Sequence, residues 1–260
     1  MPPVLSVLSL LPLLALLCAG IAAGALNAVG GGGTFVALPA LVAAGLSPVT
    51  ANASTTVALL PGALASAWTY RREIIPVGGT STRSLAVASV LGGGLGAGLL
   101  LALPPVSFAA AVPWLLAFAT VVLAFGRRLA GAVGAALHRP LGLDSRAVLI
   151  AQFVLAIYGG YFGAAVGIML LAAWSLLGRN DIHGMNAAKT VLVGSMNCVA
   201  TVCFIVAGKV WWPQTLIMMG AAVAGGYLGA RLARRLDPRW IRAFVITVCF
   251  AITAVFFARR

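Results

Sequence analysis

Asn52-Ala53-Ser54-Thr55-Thr56 opens one apolar stretch, and Asn186-Ala187-Ala188-Lys189-Thr190, 134 residues on, opens another. A helix-start signal stands ahead of each run, Ser47-Pro48 in the first case and Asp181-Ile182 in the second. A glycine cluster precedes each as well, Gly30 to Gly33 and then Gly159-Gly160-Tyr161-Phe162-Gly163. Downstream, Gly96-Ala97 corresponds to Gly229-Ala230 at an offset of 133, as Pro105 does to Pro238. The chain therefore reads as a duplication. Each copy carries a polar, glycine-broken segment inside apolar sequence, an arrangement with which transport proteins build a central site.

Composition says where such a chain resides. It is 62% hydrophobic and 8% charged, with a mean hydropathy of +1.09. A soluble domain has about a quarter of its residues charged, so the sequence implies an integral, multi-pass membrane protein. The net charge of +13 comes from arginines between the apolar runs. Anionic headgroups and the positive-inside rule account for them there, which makes the lipid bilayer a partner and excludes nucleic acid. Cys18, Cys198, Cys203 and Cys249 all lie in apolar runs without a C-x-x-C pair and read as small buried hydrophobes. The first apolar run, 4–26, has no Lys or Arg ahead of it and an internal counterpart. It reads as a span, not as a cleaved signal.

The pattern predicts an all-α membrane protein of about eight transmembrane helices in two tandem four-helix repeats. Repeat 1 covers 1–126, a loop covers 127–146, and repeat 2 covers 147–260. The spans fall at 4–26, 49–69, 81–102 and 108–126, then at 147–166, 184–207, 213–232 and 239–257. Two further apolar pieces, 34–46 and 166–177, are too short to cross a hydrocarbon core of about 30 Å. Each follows glycines, so each half is expected to hold a glycine-broken or re-entrant helix, its amides satisfied by protein or a wet cavity. An even number of crossings per copy sets both copies the same way up; an odd number inverts one. With eight spans, ten basic residues share the side of the termini and six lie opposite. Ten against six favours cytoplasmic termini for a protein of the cytoplasmic membrane, while the basic cluster at 231–242 argues for the opposite side.

Lys189 is the sharpest single residue. An ammonium in the bilayer costs at least ~2.5–3.5 kcal/mol, and the acids are only Glu73, Asp144, Asp181 and Asp237. An exogenous anion is one partner that offsets this cost; a lysine snorkelling to the interface is the alternative. Asn186 and Thr190 flank Lys189 in the same run, and Asn197 lies two turns on, near the same face. Asn52, Ser54, Thr55 and Thr56 hold the matching place in the first copy. Their amide and hydroxyls can donate to an anion, or else serve small-polar helix packing. Asn27 and Thr34 flank the first glycine run. Gly31, Gly32, Gly33 and Gly163 could offer backbone N–H groups to an anion at a helix end, or allow tight crossing. No metal cluster, nucleophile–base pair or nucleotide loop is present in the sequence, so no enzyme, metal or cofactor is expected.

The ordered set of motifs resembles the TauE/SafE family. In the first half these are the glycine-rich turn, Pro39, Ala51-Asn52-Ala53-Ser54-Thr55-Thr56 and Tyr70-Arg71-Arg72. In the second half Tyr158-Gly159-Gly160-Tyr161-Phe162-Gly163 is followed by Asp181-Ile182-His183, Asn186-Ala187-Ala188-Lys189 and Asn197. Gly208-Lys209-Val210-Trp211 and Gly225-Gly226-Tyr227-Leu228-Gly229-Ala230 complete it. The resemblance implies a secondary transporter of sulfur-containing or organic anions, of the sulfite, sulfonate or sulfoacetate type, working by alternating access. One departure is that Ser54-Thr55 corresponds to Ala188-Lys189, so the halves would contribute unequally to one site. Direction, coupling to protons and assembly into oligomers stay open. The competing readings are a cation or metal-ion permease and a membrane biogenesis factor that transports nothing.

Overall fold

Ser47 and Ser81 start helices in the way their chemistry favours. Each is extended, and each accepts the N–H three residues on: Thr50 at 3.3 Å and Ser84 at 3.2 Å. The computed structural model describes residues 10–30, 32–74, 76–77, 79–136, 145–175, 182–233 and 238–258. Among the described residues the chain forms ten helices. They are α1 (Leu10–Gly30), α2 (Thr34–Ala43), α3 (Pro48–Tyr70), α4 (Thr82–Ala102) and α5 (Pro105–Ala136), then α6 (Ser145–Tyr161), α7 (Val166–Ser175), α8 (Ile182–Val206), α9 (Trp212–Ala233) and α10 (Pro238–Ala258). The one β pairing among these residues is an isolated bridge between Val77 and Thr80.

The long helices follow the expected spans, except that α6 ends at Tyr161, short of the expected 166. Residues 4–9 of the first span and the helix-start residue Asp181 lie outside the described residues. α5 continues to Ala136, so the first half of the expected loop 127–146 is helix. Thr82–Ala102, Pro105–Gly126 and Gly184–Val206 are long and apolar enough to cross a membrane; Pro12–Ala28, Thr34–Ala43, Ser145–Tyr161 and Ile246–Ala258 are apolar but shorter.

Two glycine seams bind the bundle. Along α1 and α9, a Cβ at Gly24 would overlap the backbone of Ala222, one at Gly225 that of Ile21, and one at Gly229 that of Ala25. Along α4 and α6, Gly92 lies against Phe153, Gly96 against Ile157, and Gly160 against Gly93. Such contact needs residues without side chains, the usual solution for helices packed in lipid. Residue numbers rise together along both seams, so α1 runs parallel to α9 and α4 parallel to α6.

α3 and α8 run antiparallel. Ser54, in the first half of α3, accepts the N–H of Trp211, just after the end of α8, at 3.1 Å. Conversely, a Cβ at Gly194, halfway along α8, would stand 3.5 Å from Cβ of Ala67 near the end of α3. This sense differs from a same-way-up arrangement of two four-span copies. Apolar length alone does not say whether a ten-residue helix returns the chain, and here α2 and α7 do so.

Both returns begin at helix breaks. After α1 the chain folds back, so that a Cβ at Gly33 would stand 2.6 Å from the Ala23 carbonyl oxygen. After α6, the N–H groups of Phe162 and Gly163 both donate to the Tyr158 carbonyl, at 2.9 and 3.2 Å. Gly163 sits at φ +79°, where glycine bears no steric penalty. The Tyr158 hydroxyl closes the turn by donating to the Ala164 carbonyl at 2.9 Å.

Candidate anion site between the broken helices

The two breaks and one face each of α3 and α8 enclose a cavity of about 190 Å³. From α3 come Thr56, Leu59, Ala63, Ser66 and Tyr70; from α8 come Asn186, Lys189, Thr190, Val193 and Asn197. These spacings of three, four and seven put each set on one side of its helix. Asn27, Ala28 and Thr34 border the cavity at the first break, and Phe162, Gly163, Val166 and Gly167 at the second. Eight of the residues singled out from the sequence therefore meet here: Asn27, Thr34, Thr56, Gly163, Asn186, Lys189, Thr190 and Asn197.

Lys189 is the only cation among the lining residues. Its stem lies against Gly167, where a Cβ would come within 3.2 Å of Cδ. Its ammonium donates to Asn186 Oδ1 at 2.7 Å. That bond orients the Asn186 amide, with the oxygen toward the cation and the NH₂ left as a donor. The ammonium keeps two further protons to give. Thr190 and Thr56 behave alike in the two halves: each hydroxyl donates to the carbonyl one turn back, Asn186 at 2.8 Å and Asn52 at 3.0 Å. Bonded so, they present acceptor lone pairs to the cavity and not the donors that the sequence suggests.

The remaining sequence candidates sit elsewhere. Ser54 is fully buried and engaged with Trp211. Asn52 Nδ2 donates to the Tyr161 carbonyl at 3.1 Å, joining α3 to the end of α6. Thr55 is buried away from the cavity. Gly32 and Gly33 are buried in the first turn and do not line the cavity, while Gly31 lies outside the described residues. The sequence reading missed Ser66 and Tyr70. The signal was available, because the Thr56 face continues from Ala63 to Ser66 in a step of three and on to Tyr70 in a step of four.

Among the described residues no group of three His, Cys, Asp or Glu could hold a metal ion. The arrangement is one of amide, hydroxyl and ammonium groups around a space large enough for a small solute.

Comparison with known proteins agrees with a transport role. Residues 16–256 match the family described as sulfite exporter TauE/SafE. A "probable membrane transporter protein" of Haemophilus influenzae is 28% identical over 239 residues, covering 91% of each chain. The "probable membrane transporter protein YfcA" of Escherichia coli K12 is 26% identical over 241 residues, covering 89% of this chain and 84% of its own. No solved structure matches the chain.

Proposed function

The chain belongs to the sulfite exporter TauE/SafE family, and on that premise we propose that it is a secondary transporter of sulfur-containing or organic anions in the cytoplasmic membrane. The observation that carries this reading is Lys189: a cation lining a cavity between two broken helices, with amide donors of Asn27, Asn186 and Asn197 around the same space. An oxyanion of sulfite or sulfonate type would take protons from the ammonium and these amides. Charge-assisted bonds of this kind contribute about 1.5–3 kcal/mol each.

Two inverted copies would make such a site move. Exchanging α1–α5 with α6–α10 turns the α1–α9 contact into α6–α4, α1–α2 into α6–α7, and α3–α9 into α8–α4, all of which occur. With α3 antiparallel to α8, the axis relating the copies lies in the membrane plane, so rearranging one half against the other would expose the site to alternate faces. The copies then are the five-helix units α1–α5 and α6–α10, four long helices and one short return each.

Helix direction also supports a different sidedness. Following the chain through these senses, the start of α1, the end of α10 and Lys209 share one face. Arg71, Arg72, Arg83, Arg127, Arg128, Arg146, Arg231, Arg239 and Arg242 lie toward the other. The positive-inside rule makes the arginine face cytoplasmic and both termini external, the reverse of what eight spans imply. Tyr70, at the exposed end of α3, borders the cavity, so the opening faces the cytoplasm.

The test is uptake or efflux of radiolabelled sulfite and sulfoacetate in proteoliposomes, with Lys189→Met and Lys189→Arg. Loss of roughly 10–100-fold in transport by the methionine variant, at wild-type folding and with partial rescue by arginine, is expected. Unchanged transport by Lys189→Met overturns the anion site.

A further inference from the structure

We propose that Asn52 and Thr55 form a binding site for a monovalent alkali cation, the counterpart in the first half of the Lys189 ammonium in the second. The two halves treat one position differently. On α8, Asn186 is followed three residues later by Lys189, whose ammonium satisfies Asn186 Oδ1 at 2.7 Å. On α3 the same positions are Asn52 and Thr55. Each is 1% exposed, and neither Asn52 Oδ1 nor Thr55 Oγ1 has a hydrogen-bond partner among the described residues. Residues three apart on a helix are neighbours on its surface. So two buried oxygens without partners stand one turn apart, where the other half holds a tethered positive charge.

Leaving two such oxygens unsatisfied in a protein interior is costly, and native structures rarely do it without a ligand or water to account for it. A third oxygen stands near the Asn52 amide, on its NH₂ side. The Tyr161 carbonyl, which accepts Asn52 Nδ2 at 3.1 Å, belongs to the last residue of α6. The end of a helix carries partial negative charge and its carbonyls lack intrahelical donors. An amide oxygen, a hydroxyl and a helix-terminal carbonyl are hard, neutral ligands. They suit an alkali cation. Divalent ions at protein sites draw on carboxylates, and soft metals on sulfur or imidazole; neither kind of ligand occurs in this group.

The site abuts the anion cavity, since Thr56 follows Thr55, and Phe162 and Gly163 follow Tyr161. A cation bound there adds positive charge beside the space in which Lys189 acts. Sodium and the anion would then raise each other's affinity by the same factor. That coupling rests on the anion reading; the cation site itself does not.

The experiment is thermal unfolding of the detergent-purified full chain in sodium, potassium or choline chloride at one ionic strength, without any sulfur anion, with magnesium chloride and then sulfite as separate later additions. Sodium is expected to raise the midpoint over choline by at least roughly 5 °C at saturation. Thr55→Val and Asn52→Ala should melt cooperatively in choline and lose the sodium response, whereas Lys189→Met should keep it. Thr55→Lys should melt in choline near the wild-type sodium value and ignore added sodium. Equal wild-type midpoints in all three salts, stabilisation by magnesium chloride alone, or a sodium response that survives in Thr55→Val and Asn52→Ala would overturn the site, leaving a bridging water in its place. A sodium response with no effect of sulfite would instead sink the anion reading and leave this one standing.

Discussion

Ser54 Oγ accepts the backbone N–H of Trp211 at 3.1 Å, pinning the early part of α3 to the turn between α8 and α9. The Ser54 side chain is fully buried and does not reach the cavity. Ser54→Ala leaves the Trp211 amide without its partner, a loss of about 1–3 kcal/mol. A lower melting midpoint with unchanged anion affinity is the expected outcome. A change in affinity at unchanged stability would return Ser54 to the site.

Gly96 and Gly98 are both in α4 and separate packing from propensity. A Cβ at Gly96 would overlap the Ile157 carbonyl, while one at Gly98 meets nothing within 4 Å. Gly96→Val should cost about 1–3 kcal/mol or more and reduce folded yield. Gly98→Ala should be neutral or stabilise by up to about 1 kcal/mol through helix propensity. Unfolding of the two variants side by side decides it, and equal midpoints would contradict the seam.

Gln152 donates from Nε2 to the Ser89 hydroxyl at 2.8 Å, and Ser89 passes its own proton to the Leu85 carbonyl at 2.9 Å. Both residues are fully buried. Ser89→Ala alone should destabilise by about 1–3 kcal/mol, because it strands the amide. Adding Gln152→Leu should recover much of that loss, giving a coupling energy of about 0.5–3 kcal/mol in a double-mutant cycle. Strict additivity would show that the pair does not interact.

Sidedness is open to direct labelling. Alkaline phosphatase fused after Arg260 should be active, and a fluorescent protein fused there should be dark. In a background where the four native cysteines are replaced, Glu73→Cys should react with an impermeant maleimide only in inverted vesicles. The opposite pattern would restore cytoplasmic termini.

Much of this architecture was legible in the sequence, because its signals are local. Ser47-Pro48 and the apolar run after it mark α3 almost to the residue, and the cost of an ammonium in lipid singles out Lys189. What the sequence could not supply was direction. Residues 34–46 and 166–177 announce themselves as short apolar pieces, but their role in returning the chain depends on Gly33 approaching Ala23 and on the turn that Tyr158 closes. The same limit explains Asn52, Ser54 and Thr55. Sequence correspondence with Asn186, Ala188 and Lys189 suggested a shared role, yet which way a side chain faces depends on what packs beside it. Tyr161 and Trp211 claim the first two on α3.

The seams between α1 and α9 and between α4 and α6 also bear on how the protein is made. α1 leaves the ribosome long before α9 is translated, so its glycine face, shaped for the backbone of Ala222 and Ile21's own partner Gly225, must wait in lipid or against an insertase. A chain stopped after α5 would carry two such unclosed faces. The glycine faces of α1 and α4 are thus covered only once the second half is in place.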